Sequence, residues 1–379
     1  LRSGFPGLSD RMPFVGWIQD RLPRLFDPGS VAALGDRDVC YGMWPSIVEE
    51  CRAHGYPWVE TLPAAVNHRR FATEPRTRAE YEAEVAFVSN VARPQPEALI
   101  PLVECYIREH GYGHGQPQHY AALRRFLEGR GLVVPAERRA SFEQQLYVGF
   151  ERYLQRREVL RWVRDAGFDL RLFGRGWESD PEFASHARGP VEPGEDLRDL
   201  YHSARVHLQI NLDTNLHARV FECLAAGGAI LAAETPDDHR SGGLGDHLEI
   251  GSEILTFGDR TSCLALIDDL LQRPDHRDAH VDAGRRRVLA EHTYVHRARR
   301  IIDDVRRALR PPTPSRRNVP QGACRSPHSG RGPELPAASA PAETRPVHQH
   351  ACVSSGAVVL ESRTLGSKAV SRQTPGAIA

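Results

Sequence analysis

The sequence predicts an α/β protein of two Rossmann-like units, each built on a parallel sheet, the first of them incomplete. Two observations carry this. Short apolar runs alternate with amphipathic stretches over most of residues 12–309, a pattern that implies parallel strands covered by helices on both faces. Several of these runs pass directly into glycine or small polar turns, where α/β units present ligand-binding backbone.

In chain order, MPFVGWIQD (12–20) reads as a buried strand, SIVEECRAHG (46–55) as a helix stopped by glycine, and WVETLPAAVN (58–67) as a strand running into a loop. Three such elements make less than a full sheet. Residues 1–78 are therefore expected to be the C-terminal part of an N-terminal unit, and the start, which has no methionine, fits a missing beginning. The second unit is expected over 79–310. It opens with the strand and polar turn EVAFVSNVA (84–92) and continues through a helical insertion near 104–165. DLRLFGRGW, EDLRDLYHSA, RVHLQINLD, GAILAAE and SEILTFGD then alternate strand and helix before Arg-rich helices at 275–309. Residues 311–379 are rich in Pro, Ser and Arg without periodicity, so they cannot bury enough apolar surface to offset ordering entropy and are expected to be disordered.

Charge composition excludes several mechanisms. Lys+Arg and Asp+Glu are 49 each, so no nucleic-acid or anionic-membrane partner is forced. The tail holds eight basic and three acidic residues, which leaves 41 basic against 46 acidic in residues 1–310. The single lysine is Lys368. A P-loop, a Schiff-base cofactor enzyme and a protein kinase each need a lysine in the body of the fold. An anion site here must instead use arginine, histidine or backbone N–H groups. The seven cysteines have no CxxC spacing and read as reduced thiols of a cytoplasmic protein. No apolar run approaches the ~18 residues of a membrane span.

Residues 216–234, LHARVFECLAAGGAILAAE, pose one question. Leu216, Val220, Cys223 and Leu224 form an apolar helical stripe and Glu222 points nearly opposite, flanked at helical spacing by Ala218, Ala225 and Ala226. Small neighbours leave room for something to approach the carboxylate. The plain alternative is an exposed pair with Arg219, worth ~0.3 kcal/mol. Gly227 and Gly228 read as a left-handed helix stop and a tight entry to the next strand. The histidines of GYGHGQPQH and its flank, His110, His114 and His119, lack metal-ligand spacing and read as a surface loop. The run Arg285–Arg287 reads as a solvated helix face. Asp20 ends a strand and either touches a ligand or caps a helix.

The run DLRDLYHSARVHLQINLDTNLHARVFECLAAGGAILAAETPD, with LFGRGW upstream and AGRRRVLAEHTYVHRARRIIDD downstream, resembles the C-terminal domain of GT-B glycosyltransferases. It is most similar to family 4-related proteins of the spore-maturation-protein type. VGWIQD and YPWVETLPAAVNHRRF resemble the end of that family's first domain. The similarity spans roughly 12–305. It implies a GT-B-like fold that binds a nucleotide-diphosphate sugar in the second unit and a carbohydrate, lipid or protein acceptor in the first. It also implies transfer with retention, without metal or cofactor. On this resemblance Glu222 accepts hydrogen bonds from ribose hydroxyls, a role suited to a group that only accepts.

Arg219 and His217 would stand near the phosphates, although Arg219 could merely orient Glu222 and His217 could merely cap the helix. Asn90 and Arg93 follow the first strand of the unit. Gly174, Arg175 and Gly176 would bring backbone N–H groups to phosphate, or form only a turn. Val191 would meet the nucleobase. Two departures stand out: the first acid of the family's pair is Thr214 here, and the lysine of its diphosphate clamp is absent or replaced by another arginine. No catalytic base is identified. The alternatives are a nucleotide-sugar epimerase and a non-catalytic nucleotide-sugar-binding or scaffolding relic.

Overall fold

The computed structural model describes residues 2–4, 9 and 12–309. The tail assigned to disorder, with Lys368, Cys324 and Cys352, lies outside them.

The first unit is a three-stranded parallel sheet in the order β1-β2-β3, formed by Val15–Ile18, Val39–Gly42 and Val59–Thr61. A short helix α1 (Pro28–Ala32) and the helix α2 (Pro45–Ala53) connect the strands. Proline at the first turn of α2 costs nothing, because that N–H has no helical acceptor. Cys40, Ile47, Val48 and Cys51 close one face of the sheet. A four-residue helix α3 (His68–Phe71) leads into the second unit.

The second sheet has six parallel strands, β4 (Val85–Val88), β5 (Leu170–Phe173), β6 (Ala187–Gly189), β7 (Val206–Gln209), β8 (Ile230–Ala233) and β9 (Leu255–Phe257). Their order in space is β6-β5-β4-β7-β8-β9. The chain winds outward from β4 in one direction, returns, and winds outward from β7 in the other. The switch point between β4 and β7 leaves a crevice at the carboxyl ends of these two strands, the place where doubly wound sheets bind ligands. The class expected from the sequence, α/β with two parallel sheets, is the class observed.

Between β4 and β5 the chain inserts α4 (Ile100–His110), α5 (Pro117–Glu128), α6 (Arg139–Gln145) and α7 (Arg152–Asp165). A π-helical segment, Leu146–Glu151, joins α6 to α7. The insertion packs on its own core of Leu99, Val103, Leu123, Leu127 and Phe150, into which Leu212 from the turn after β7 projects. The insertion is thus tied to the switch point.

Helices α8 (Glu195–Ser203), α9 (Ala218–Ala226), α10 (Arg260–Gln272), α11 (Pro274–Glu291) and α12 (Tyr294–Ala308) complete the described chain. Sequence periodicity places α12 in the second unit, but its apolar stripe lies against the first sheet. Ile301 and Val305 pack with Val39, Tyr41 and Leu62, and the Tyr41 hydroxyl donates to Asp304 at 2.8 Å. Arg297 donates to the carbonyl oxygens of Pro63 and Ala64, both at 2.9 Å, so the two crossings between units are bonded together.

Candidate functional site

The carboxyl ends of β1 and β2 meet the carboxyl end of β7 across a cleft of about 400 Å³. Asp20, Arg21 and Trp44 line it from the first unit, Asp213, Thr214, His217 and Arg219 from the second, and Arg152 and Arg156 from α7. The last two stand one turn apart, so they share a face of the helix. The π-helical segment immediately before them alters the winding at the edge of the cleft, a placement common at functional sites.

Four arginines thus line one cavity, and of these Arg21 is paired with Glu50. Arg219 donates to the neutral Gln209 side chain at 3.0 Å. Arg152 and Arg156 have buried Nε atoms without an acceptor, and neither forms an ion pair among the described residues. Their neighbours on α7 differ: Arg157, Arg161 and Arg164 all bind Glu182. Burial, and then the positive charges of Arg152 and Arg219, push Arg156 down to about 9, while Asp213 acts in the opposite direction. Buried donors normally find acceptors, so this cluster has the chemistry of an anion site.

His217 is the N-cap of α9, and its Nδ1 accepts the Arg219 backbone N–H at 3.2 Å. Burial, followed by the charges of Arg219, Arg156 and Arg152, holds its imidazole down at about 3. The ring is neutral, and its Nε2 carries the hydrogen. Asp213, adjacent to the Thr214 noted as a departure, accepts from the Tyr147 hydroxyl and from the Thr214 N–H, the latter at 3.1 Å. Thr214 Oγ1 accepts the Leu216 N–H at 3.0 Å. Asp20 is exposed on the cleft wall and caps no helix.

Of the donor-binding residues singled out by sequence, His217 and Arg219 lie in the cleft, as do Asp20 and Thr214. Glu222 sits one turn further along α9, half-buried and outside the cleft wall. Its carboxylate has no hydrogen bond or ion pair among the described residues. Burial pushes its carboxyl up, and the guanidiniums of Arg219 and Arg70 pull it partly back. Arg70 reaches from α3 to the loop containing Val191, where a Cβ added to Gly194 would stand 3.4 Å from its side chain. The alanine patch is not open space: Ala225 and Ala226 are 0% and 1% exposed in the core, where small side chains let helices approach. Val191 packs at the edge of the same core.

The turns after β4 and β5 are bonded to each other. Asn90 Oδ1 accepts the Arg175 N–H at 2.9 Å, and the Val91 N–H donates to the Arg175 carbonyl oxygen at 2.9 Å. Gly174 and Gly176 have φ of +139° and +94°, and a Cβ on either would lie 2.2 Å from the carbonyl oxygen of Ser89 or Val91. Close backbone approach alone thus requires glycine at both. Arg175 is exposed, and Arg93 pairs with Glu97 at 3.0 Å. None of these residues lines the cleft.

His119 lies 3.2 Å from Glu151, His114 Nδ1 lies 2.8 Å from the Leu212 carbonyl oxygen, and His110 and His119 both pack edge-on against Tyr106, so the three histidines share no polar partner among the described residues. Among the described residues no group of three or more His, Cys, Asp or Glu is placed to hold a metal ion, and no helix is long and apolar enough to cross a membrane.

Sequence reasoning missed Arg152, Arg156, Asp213 and Trp44. The one available signal was the lack of lysine, which obliges arginine to fill any anion site.

A family model described as glycosyl transferase-like matches residues 152–303, a span that begins at Arg152 and includes Arg156, Asp213, His217, Arg219 and Glu222. Similar solved structures include HepE of Anabaena in complex with UDP and glucose, at 8% identity, covering 78% of this chain and 72% of that one, with a TM-score of 0.44. A trehalose-6-phosphate synthase is similar at 12% identity, with coverage of 77% and 73% and a TM-score of 0.42. The sucrose-phosphate synthase of Thermosynechococcus elongatus is similar at 15% identity, with coverage of 75% and 61% and a TM-score of 0.37. No residue role follows from likeness at this level. No curated protein matches the sequence significantly.

Proposed function

We propose that this chain is a glycosyltransferase of GT-B type that moves a sugar from a nucleotide-diphosphate donor to an acceptor hydroxyl. The family match over residues 152–303 supports the class. One observation carries the assignment to this cleft: Arg152, Arg156 and Arg219 converge there without a carboxylate partner. A diphosphate supplies the missing acceptors, and arginine forks match phosphate oxygens in geometry and charge. In this reading Arg152 and Arg156 replace the lysine that the sequence lacks.

Charge develops on the diphosphate as the bond to the sugar breaks. Preorganised guanidiniums and the His217 Nε2–H stabilise that charge in a partly dehydrated cleft, and such electrostatic stabilisation usually contributes most to the rate of this kind of transfer. The acceptor enters from the wall formed by Asp20 and Trp44. With retention, its hydroxyl oxygen bonds to the anomeric carbon on the face that the diphosphate leaves, and its proton passes to the departing phosphate oxygen. No metal or cofactor takes part in this scheme. In this reading Glu222, outside the cleft wall, receives the ribose together with Arg70, and the loop at Val191 meets the base. The acceptor is a carbohydrate, a lipid or a protein.

The test is a thermal-shift comparison of UDP, GDP, ADP and their sugars in the unmodified protein and in Arg156→Leu and Glu222→Ala, followed by product analysis with candidate acceptors. Stabilisation by one nucleotide that both variants lose, together with a glycosylated product, supports the reading. Stabilisation without transfer or donor hydrolysis identifies a binder. No nucleotide effect in any form removes the proposal.

A further inference from the structure

A histidine pair stands where α10 meets α11, remote from the cleft. His276 and His280 lie one turn apart on α11, with their Nε2 atoms 3.0 Å from each other. The other nitrogen of each ring has a fixed acceptor. His276 Nδ1 donates to Asp269 Oδ2 at 2.6 Å, and His280 Nδ1 donates to the Ser252 carbonyl oxygen at 2.8 Å. An ionised carboxylate and a carbonyl only accept, so both Nδ1 atoms carry hydrogen. In the neutral rings both Nε2 atoms then present lone pairs to one another. Two lone pairs at this separation repel, and a cation relieves the repulsion.

We infer that His276 and His280 form a binding site for a transition-metal dication, with Asp269 and the Ser252 carbonyl as the outer groups that orient the rings. Metal-bound histidines almost always donate their second nitrogen to a carboxylate or carbonyl, and here both do. Two imidazole nitrogens, each about 2.1 Å from one ion in neighbouring corners of a square-planar or octahedral shell, stand about 3.0 Å apart, which is the spacing present. Imidazole selects zinc, copper or nickel over magnesium or calcium. The protein supplies two ligands and water completes the shell. Both rings are partly exposed, so the ion reaches them from solvent. Bound there, it ties α11 to α10 through Asp269 and to the segment before β9 through Ser252.

The test uses the full chain without a histidine tag, titrated with nickel, zinc or copper chloride and, as control, magnesium chloride. One ion per chain is expected to bind and raise Tm, with no effect from magnesium. His276→Gln and His280→Gln should lose that ion. Asp269→Asn should keep it roughly 10- to 100-fold more weakly, because only the outer partner changes. Electron paramagnetic resonance of the copper form should show two coupled nitrogens, a signal that each single-histidine variant loses. Equal affinity and stoichiometry in the unmodified protein and in His280→Gln, or a copper spectrum unchanged by that substitution, would overturn the proposal.

Discussion

The Nδ1 atom of His217 accepts the Arg219 N–H at 3.2 Å, so one ring both starts α9 and lines the cleft. These roles separate by substitution. His217→Ala removes the cap and should cost about 0.5–2 kcal/mol of stability. His217→Asn restores a good cap but not the donor. Chemical denaturation and steady-state rates of the two variants should show stability recovered in His217→Asn while turnover stays low. Recovery of both would assign His217 to capping alone.

Arg156 is expected to oppose folding and favour binding. It is half-buried beside two like charges, with its Nε unbonded. Arg156→Leu should leave the ligand-free Tm unchanged or raise it, since replacing a buried charge by an apolar group is often neutral or stabilising. The same change should weaken nucleoside diphosphate binding by roughly 1.5–3 kcal/mol, about ten- to a hundredfold in Kd. Calorimetry and thermal melting on one preparation provide both readings. A lower Tm with unchanged Kd would make the residue structural.

Stability should fall on mild acidification. Burial holds His292 at about 3 and His247 and His207 at about 4, each below the ordinary 6.5. His292 sits between the Arg297 guanidinium, which donates to its Nδ1 at 2.8 Å, and the His247 carbonyl oxygen at 3.1 Å. Because the folded-state values are depressed, the unfolded chain binds more protons between these limits. The contribution is complete above about 6.5 and is lost as pH falls toward 4. Urea midpoints measured from pH 7.5 to 4.5 should decline below 6.5. A flat profile would contradict the buried, neutral assignment.

Gly174→Ala tests the bonded turns. Its Cβ would meet the Ser89 carbonyl oxygen at 2.2 Å and force a side chain into φ +139°. A loss of roughly 1–3 kcal/mol is expected from the backbone strain alone. Wild-type stability in this variant would mean that the turns after β4 and β5 are not in contact.

Much of the second unit was legible because strands, glycine turns and helix stops have local signatures. Gly227 ends α9 at φ +83°, as its position after two alanines implied. The arginine cluster was not legible. Arg152 and Arg156 occur in one run with Arg157, Arg161 and Arg164, and only pairing in space with Glu182 separates the two sets. Ala225 and Ala226 illustrate a similar ambiguity: small side chains permit close approach without saying whether a ligand or a helix approaches. The stripe Ile301–Val305 likewise shows that α12 is amphipathic, but not which sheet it covers.

The most direct test is a crystal structure with a bound nucleoside diphosphate. The account predicts phosphate oxygens within hydrogen-bonding distance of Arg152, Arg156 and Arg219, with the ribose toward Glu222. A nucleotide bound elsewhere, with these three guanidiniums facing only water, would contradict it.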